Sequence, residues 1–96
     1  MHSPGADSIR LVVQRVSGAL AGSVSYRMIA YPKRKGLRFR PILLATRAEV
    51  IARMKAAIPN FDDKLIRPES ESTQVLFAST FALTNQQLIQ LGVAEV

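Results

Sequence analysis

Two stretches near the start of the chain alternate apolar and polar positions. In residues 8–16 the apolar side chains Ile9, Leu11 and Val13 recur at every second position, among several β-branched residues. Residues 8–21 also fit helical spacing, so strand and helix both stay open there, and we take a strand over 8–16. Residues 23–31 alternate in the same way and predict a second strand.

The segment that follows is predicted to complete a hairpin. Pro32 begins a basic connector, residues 32–36, which ends in a glycine able to adopt a positive φ. Residues 37–45 then predict a third strand, because apolar and basic side chains alternate in the first half of this segment. Pro41 cannot donate a hydrogen bond to a neighbouring strand, which favours an edge position or a bulge.

Two capping boxes mark the starts of two helices. In each box a threonine stands three residues before a glutamate or glutamine, so that each side chain can cap the backbone beside the other. The pairs are Thr46 with Glu49 and Thr84 with Gln87. They predict a helix over 47–58, ended by Pro59, and a shorter helix over 85–91.

A further strand is predicted between the two helices. Residues 75–83 are apolar at most odd positions and also at 76, 78 and 82. A strand that is apolar on both faces needs cover on both sides, either from its own chain or from a partner. The loop before it leaves room for a short strand at 64–67, which Pro68 would end.

Together these elements predict an α+β fold with the order βββαβ(β)α. A three-stranded N-terminal meander and one or two C-terminal strands form a small antiparallel sheet, packed against two helices. Residues 1–7 contain proline and glycine without an apolar period and are predicted to be a disordered tail. Residues 8–96 are predicted to form a single domain.

Composition narrows the class of protein. Of the 96 residues 48% are hydrophobic, which indicates a folded chain. The sequence has no cysteine, which fits a reducing compartment, and no apolar run near the roughly 18 residues of a membrane span. The first thirty residues also lack the apolar segment of a secretory leader. We therefore expect a cytoplasmic protein with no membrane partner.

Charge is distributed unevenly along the chain. Thirteen lysines and arginines against seven acidic residues give a net charge of +6. Residues 1–55 hold eleven bases and two acids, a net +9, whereas residues 56–96 hold two bases and five acids, a net −3. Such asymmetry favours a basic face that attracts a polyanion, although net charge also keeps a soluble protein dispersed.

The predicted meander gathers basic residues on the sheet face that turns away from the helices. Arginine suits a phosphate or a guanine edge because its planar fork of donors binds two oxygens at once. The sequence therefore predicts a small basic domain that binds nucleic acid, either DNA or RNA, mainly through phosphates. The candidate residues are Arg10, Arg27, Lys33, Arg34, Lys35, Arg38 and Arg40. An ordinary solvated sheet face is the alternative reading of the same pattern.

A second hypothesis rests on the doubly apolar strand. If the chain cannot cover both of its faces, the surplus apolar surface indicates a protein interface. The protein would then be an assembly subunit, as a homo-oligomer or part of a larger complex, and its basic face would meet an acidic protein. The candidate interface residues are Val75, Phe77, Phe81 and Leu83.

Few residues support catalysis. The single histidine, His2, lies in the predicted tail, and the sequence has neither a nucleophile motif nor a phosphate-binding loop. Asp62 and Asp63 are adjacent and suit a hard cation, but such pairs more often serve turns and caps. We expect no enzyme, no metal and no cofactor. A ribonuclease that works without histidine, using arginines and Tyr31, stays an open alternative.

Overall fold

Four strands and two helices make up the described part of the chain. The computed structural model describes residues 6–17, 24–68 and 74–94. The strands are β1 (Asp7–Ser17), β2 (Val24–Pro32), β3 (Ile42–Leu44) and β4 (Val75–Leu83), and the helices are α1 (Arg47–Ala57) and α2 (Asn85–Leu91). The order βββαβα confirms the predicted small α+β fold.

The strands form one antiparallel sheet in the order β3-β2-β1-β4. β1 lies inside the sheet and pairs along its length with both β2 and β4. The choice between strand and helix is thereby decided for strand as far as Ser17, and residues 18–21 lie outside the described part. Asp7, which was predicted to belong to the tail, begins β1, whereas residues 1–5 lie outside the described part.

Both helices pack on the same face of the sheet. Ile9, Leu11 and Val13 of β1 have no exposed surface and belong to a core that includes the apolar sides of both helices. The helical core residues are Val50, Met54 and Ala57 of α1 and Leu88 and Leu91 of α2. Each fully buried Leu or Ile contributes about 1.5–3 kcal/mol relative to an exposed one, so this one-sided core is the main source of stability.

Both predicted threonine caps start their helices, but only the second pair forms a complete capping box. In the first pair, the Glu49 side chain accepts from the Ala45 N–H and not from the Thr46 N–H. Thr46 Oγ1 accepts from the Glu49 N–H at 3.2 Å, and Thr84 Oγ1 accepts from the Gln87 N–H at 3.2 Å. Gln87 also connects the helices, because its Nε2 donates to Ala57 O at 3.0 Å at the end of α1. The caps therefore start the helices and hold the end of α1 against the start of α2.

The third strand is much shorter than predicted. Residues 37–45 were predicted to form a strand with an edge position or a bulge at Pro41, but β3 covers only Ile42–Leu44, so the connection from β2 runs over residues 33–41. Two causes act together: Pro41 has no N–H to donate, and the Arg40 N–H donates to Val93 O at 3.0 Å, beyond α2. Phe39 packs against the core, which draws this segment away from the sheet.

The optional short strand at 64–67 does not form, so β4 is the single C-terminal strand of the described residues. The chain forms a 3₁₀ turn over Asp63–Leu65 instead. The carboxylate of Asp62 accepts from the Lys64 N–H at 3.0 Å, which caps the turn and favours it over an extended conformation. Beyond the turn, the Arg67 N–H donates to Leu76 O at 2.9 Å, beside the first residues of β4.

Two glycines with positive φ allow a matched test of the packing at the end of α2. Gly92 has a φ of +97° and Gly36 has a φ of +93°, so alanine at either position costs about 1–2 kcal/mol in backbone conformation. A Cβ on Gly92 would also lie 2.5 Å from Arg53 Nη1, which donates to Leu91 O at 3.2 Å, whereas a Cβ on Gly36 meets nothing within 4 Å.

We expect Gly92→Ala to lower the free energy of unfolding by about 0.5–1.5 kcal/mol more than Gly36→Ala, because the exposed Arg53 side chain must move and give up its hydrogen bond to Leu91 O. Urea denaturation of both variants measures the difference. In an Arg53→Ala background the two glycine substitutions should cost the same. A difference that persists in that background would contradict this explanation.

Candidate nucleic-acid interface

The sheet face opposite the helices is not covered by any described element. We call it the open face, and it consists of the side chains that alternate with the core residues along each strand. Its residues are Ser8, Arg10, Val12, Gln14 and Val16 of β1, Ser25, Arg27, Ile29 and Tyr31 of β2, Leu43 of β3, and Val75, Ala78, Thr80 and Ala82 of β4.

Two of the predicted arginines, Arg10 and Arg27, lie on this face. Arg10 stands between Tyr31 on β2 and Thr80 on β4, and Arg27 stands opposite Gln14. Arg10 and Gln14 are four residues apart, which corresponds to about 13 Å along a strand. The two guanidinium groups therefore mark separate positions along the face.

Between the arginines the open face is apolar. Val12 lies between Ile29 and Ala78 and is only 7% exposed, although no described helix or loop packs over this face. Leu43 is 65% exposed and Val75 is 42% exposed, so apolar side chains also reach the solvent. The apolar character of the open face could be predicted from three consecutive apolar residues of β1, Leu11–Val13. A strand with one solvent-exposed face normally alternates apolar and polar residues.

Arg38 and Arg40 do not lie on the open face. Both belong to the irregular segment before β3, which bonds to the chain end beyond α2 rather than to β2. Together with Phe39 and Val93 they line a shallow pocket of about 320 Å³. The predicted group of four arginines on one sheet face is therefore divided into two pairs, because the third strand begins only at Ile42.

The basic connector lies at the Tyr31 end of β2. Its backbone continues the β1–β2 pairing, since the Lys33 N–H donates to Ser8 O at 3.3 Å. Arg34 turns to the start of β1, where its Nε and Nη2 bind both carboxylate oxygens of Asp7 at 3.0 and 3.2 Å. Lys33 and Lys35 are exposed. Within the predicted set, Arg34 thus has a structural partner, and the two lysines extend the basic end of the sheet.

The acidic residues of the described part lie away from the open face. Asp7 binds Arg34, Asp63 lies 3.3 Å from Lys55, and Glu49 accepts from the Ala45 N–H at 3.0 Å. Asp62 caps the 3₁₀ turn. No cluster of three acidic or histidine side chains that could hold a metal occurs in residues 6–17, 24–68 and 74–94. The open face therefore carries positive charge that no described carboxylate on that face offsets.

Three of the four predicted interface residues pack inside the chain. Phe77 and Leu83 are buried, and Phe81 packs against the same core. The ring of Phe77 lies 5.5 Å from that of Phe61 and 6.0 Å from that of Phe81. These three side chains contribute to the core rather than to an exposed surface, because Phe61 and the rest of the core pack on this face of β4.

Val75 lies on the opposite side of the same strand. The β1–β4 register shifts between Val13 and Gln14, so Phe77 pairs with Val13 whereas Val75 pairs with Gln14. This β-bulge reverses the side on which the first residue of β4 lies. The period of two that grouped Val75 with Phe77 in the sequence does not continue through a bulge.

Comparisons with protein-family models, with curated proteins and with solved structures find no match. Among the described residues, neither helix is long enough to cross a membrane.

We expect Phe77→Ala to lower the free energy of unfolding by about 3–5 kcal/mol, the usual cost of removing a buried phenylalanine. Val75→Ala, at an exposed position of the same strand, should change it by less than about 0.5 kcal/mol. Urea denaturation measures both. If Phe77→Ala kept full stability and only changed the oligomeric mass, Phe77 would be an interface residue after all.

Proposed function

We propose that the protein binds single-stranded nucleic acid on the open face of its sheet, in the cytoplasm and without catalysis. The observation that supports this proposal is the combination of two arginines and an exposed tyrosine on an apolar sheet face with no acidic residue among its described side chains. Lys33 and Lys35 add positive charge at the Tyr31 end. A polyanion is the ligand class that such a charge distribution attracts.

The arginines supply the phosphate contacts. Arg10 and Arg27 each present a planar group of donors, and their separation along the sheet lets them contact different phosphates of one strand. Lys33 and Lys35 continue the positive charge beyond Arg10. Binding through these groups releases counterions, so the affinity depends strongly on salt.

The apolar part of the open face favours single-stranded nucleic acid over a duplex. In a duplex the bases are stacked inside and present only their edges, whereas a single strand exposes base faces that stack on aromatic and apolar side chains. Tyr31 is 47% exposed beside Arg10 and offers such a stacking surface. Ile29 and Leu43 extend the apolar surface towards Arg27.

A second candidate partner is an acidic protein surface. Protein interfaces are enriched in arginine and tyrosine and depleted of lysine and acidic residues, and the open face has this composition within the described residues. Its apolar centre around Val12 with arginines beside it also resembles an interface core with a polar rim. Binding measurements with nucleic acid distinguish the two candidates directly.

The arginine pairs permit a charge-matched test. We expect Arg10→Ala with Arg27→Ala to weaken binding to a labelled single strand and to reduce the slope of log affinity against log salt by about 1.4, because each phosphate contact to a single strand contributes about 0.7. Arg38→Ala with Arg40→Ala removes the same charge away from the open face and should leave the slope unchanged. Fluorescence anisotropy over a salt series measures both.

Equal losses from the two double variants would mean that net charge, and not the open face, determines binding. If the wild-type protein binds neither single nor double strands at low salt, the nucleic-acid proposal is wrong and the acidic-protein candidate remains. Circular dichroism of each variant confirms that the fold is intact, as expected for exposed or half-exposed side chains.

Tyr31 tests the preference for single strands. Tyr31→Ala should weaken single-strand binding by about 5- to 150-fold, since stacking one base on an aromatic ring contributes about 1–3 kcal/mol. Tyr31→Phe keeps the ring and should bind as the wild type does. Duplex binding should respond to neither change, and an equal loss for duplex and single strand would contradict stacking at this position.

A further inference from the structure

β4 is an edge strand whose own sequence lacks the usual protection against pairing. Its nine residues, Val75–Leu83, include neither a charged residue nor a proline. The opposite edge is different, because β3 has three residues and follows Pro41. Natural sheets usually protect an edge by shortness, charge or proline, and a long uncharged edge is a site for adding another strand.

The hydrogen bonds of β1 show which backbone groups of β4 point away from the sheet. The Arg15 N–H donates to Gln74 O at 2.7 Å on the β4 side, and Ser8 O accepts from Lys33 at 3.3 Å on the β2 side. Since these groups alternate sides along a strand, odd-numbered β1 residues bond to β4. The β4 residues that bond to these odd-numbered β1 residues are Phe77, Ser79 and Phe81.

Ala78, Thr80 and Ala82 therefore direct their N–H and C=O groups to the outer edge. At the start of the strand, Leu76 O accepts from the Arg67 N–H, which fits the same alternation. From Ala78 to Ala82 no described residue outside β4 bonds to this edge. All three side chains are exposed on the open face, so the edge is accessible from that side.

We propose that a second copy of this chain pairs with β4 in antiparallel orientation, around a two-fold axis at Thr80. Thr80 of one copy then lies opposite Thr80 of the other, and Ala78 of each lies opposite Ala82 of the other. Each of these residue pairs exchanges two N–H···O bonds, so every outward group from 78 to 82 gains a partner. The result is one continuous sheet of two copies.

The sequence of the edge favours a copy of itself as the occupant. The strand carries no charge, so no like charges lie opposite each other within the paired stretch 78–82. The facing side chains are small, and two threonines opposite each other form a favourable cross-strand pair. The Arg67 bond at Leu76 limits the pairing to residues 78–82, which is the stretch that a two-fold axis at Thr80 uses.

This proposal is independent of nucleic-acid binding, and it differs from the interface predicted from the sequence. The sequence hypothesis used the side chains of Phe77, Phe81 and Leu83, which the core takes up. The present proposal uses the outward N–H and C=O groups of the same strand instead of its side chains. An unrelated extended peptide on this edge is a competing outcome, and a test at the symmetry axis separates it from self-pairing.

A charge-swap experiment tests the pairing. Thr80→Glu places a carboxylate beside Arg10 within the monomer, and it places two carboxylates opposite each other at the axis of the dimer. Thr80→Lys places two cations there. Sedimentation equilibrium from about 10 µM to about 1 mM should show a monomer–dimer equilibrium for the wild-type chain, and monomers for each variant alone.

Mixing the two variants should restore the dimer, because Glu then lies opposite Lys. Ala52→Glu, at an exposed position of α1, adds the same charge away from the edge and should dimerise as the wild type does. A wild-type chain that stays monomeric over this range, or one whose dimer tolerates both Thr80 variants, would overturn the proposal. A mixture of the folded Thr80→Glu and Thr80→Lys variants that remains monomeric would also overturn the proposal.

Cysteine variants test the register, since the chain has no native cysteine. Paired residues that exchange two bonds have Cα atoms about 5.5 Å apart, so Thr80→Cys should form a dimer with a short thiol-specific cross-linker. Ala82→Cys of the two copies would lie about 13 Å or more apart and should not. Cross-linking of Ala82→Cys in preference to Thr80→Cys would overturn a two-fold axis at Thr80.

Discussion

The burial of one face of β1 is the interaction on which the rest of the structure depends. Ile9, Leu11 and Val13 have no exposed surface because two short helices cover them. Both helices lie on this side, so the opposite face of a four-stranded sheet has no cover from the described chain. The open face and the unprotected edge of β4 both follow from this one-sided arrangement.

The elements that could be predicted from the sequence are those with local causes. A helix cap needs only residues three apart, and both threonines cap their helices as predicted. The full capping box forms at Thr84 and Gln87, whereas Glu49 bonds to the Ala45 N–H instead of the Thr46 N–H. The alternation of apolar and polar residues in β1, β2 and β4 predicts which side chains share one face of the sheet, and this prediction does not require the identity of the neighbouring strand. The third strand was overestimated because its length depends on a contact distant in sequence, the bond from the Arg40 N–H to Val93 O.

In the candidate site, too, the positions with local causes could be predicted and those that depend on distant contacts could not. Arg10 and Arg27 were grouped correctly, because each lies in a strand with regular alternation. Arg38 and Arg40 were grouped with them only through the assumption that residues 37–45 form a strand. Val75 was assigned to the wrong face because a β-bulge leaves no mark in the pattern of a single strand. Local periodicity therefore predicts a face well, but only within an uninterrupted strand.

The two proposed surfaces affect each other through the geometry of the sheet. Arg10 pairs with Thr80, the residue at the proposed axis, so the two Arg10 side chains of a dimer would lie on one continuous face, three strand spacings or about 14 Å apart. Their repulsion is largely screened at this distance at physiological salt. An anionic strand that contacts both would bind the dimer better than the monomer, and by mass action it would favour pairing at β4. Binding and self-association would then support each other, although neither surface needs the other to form.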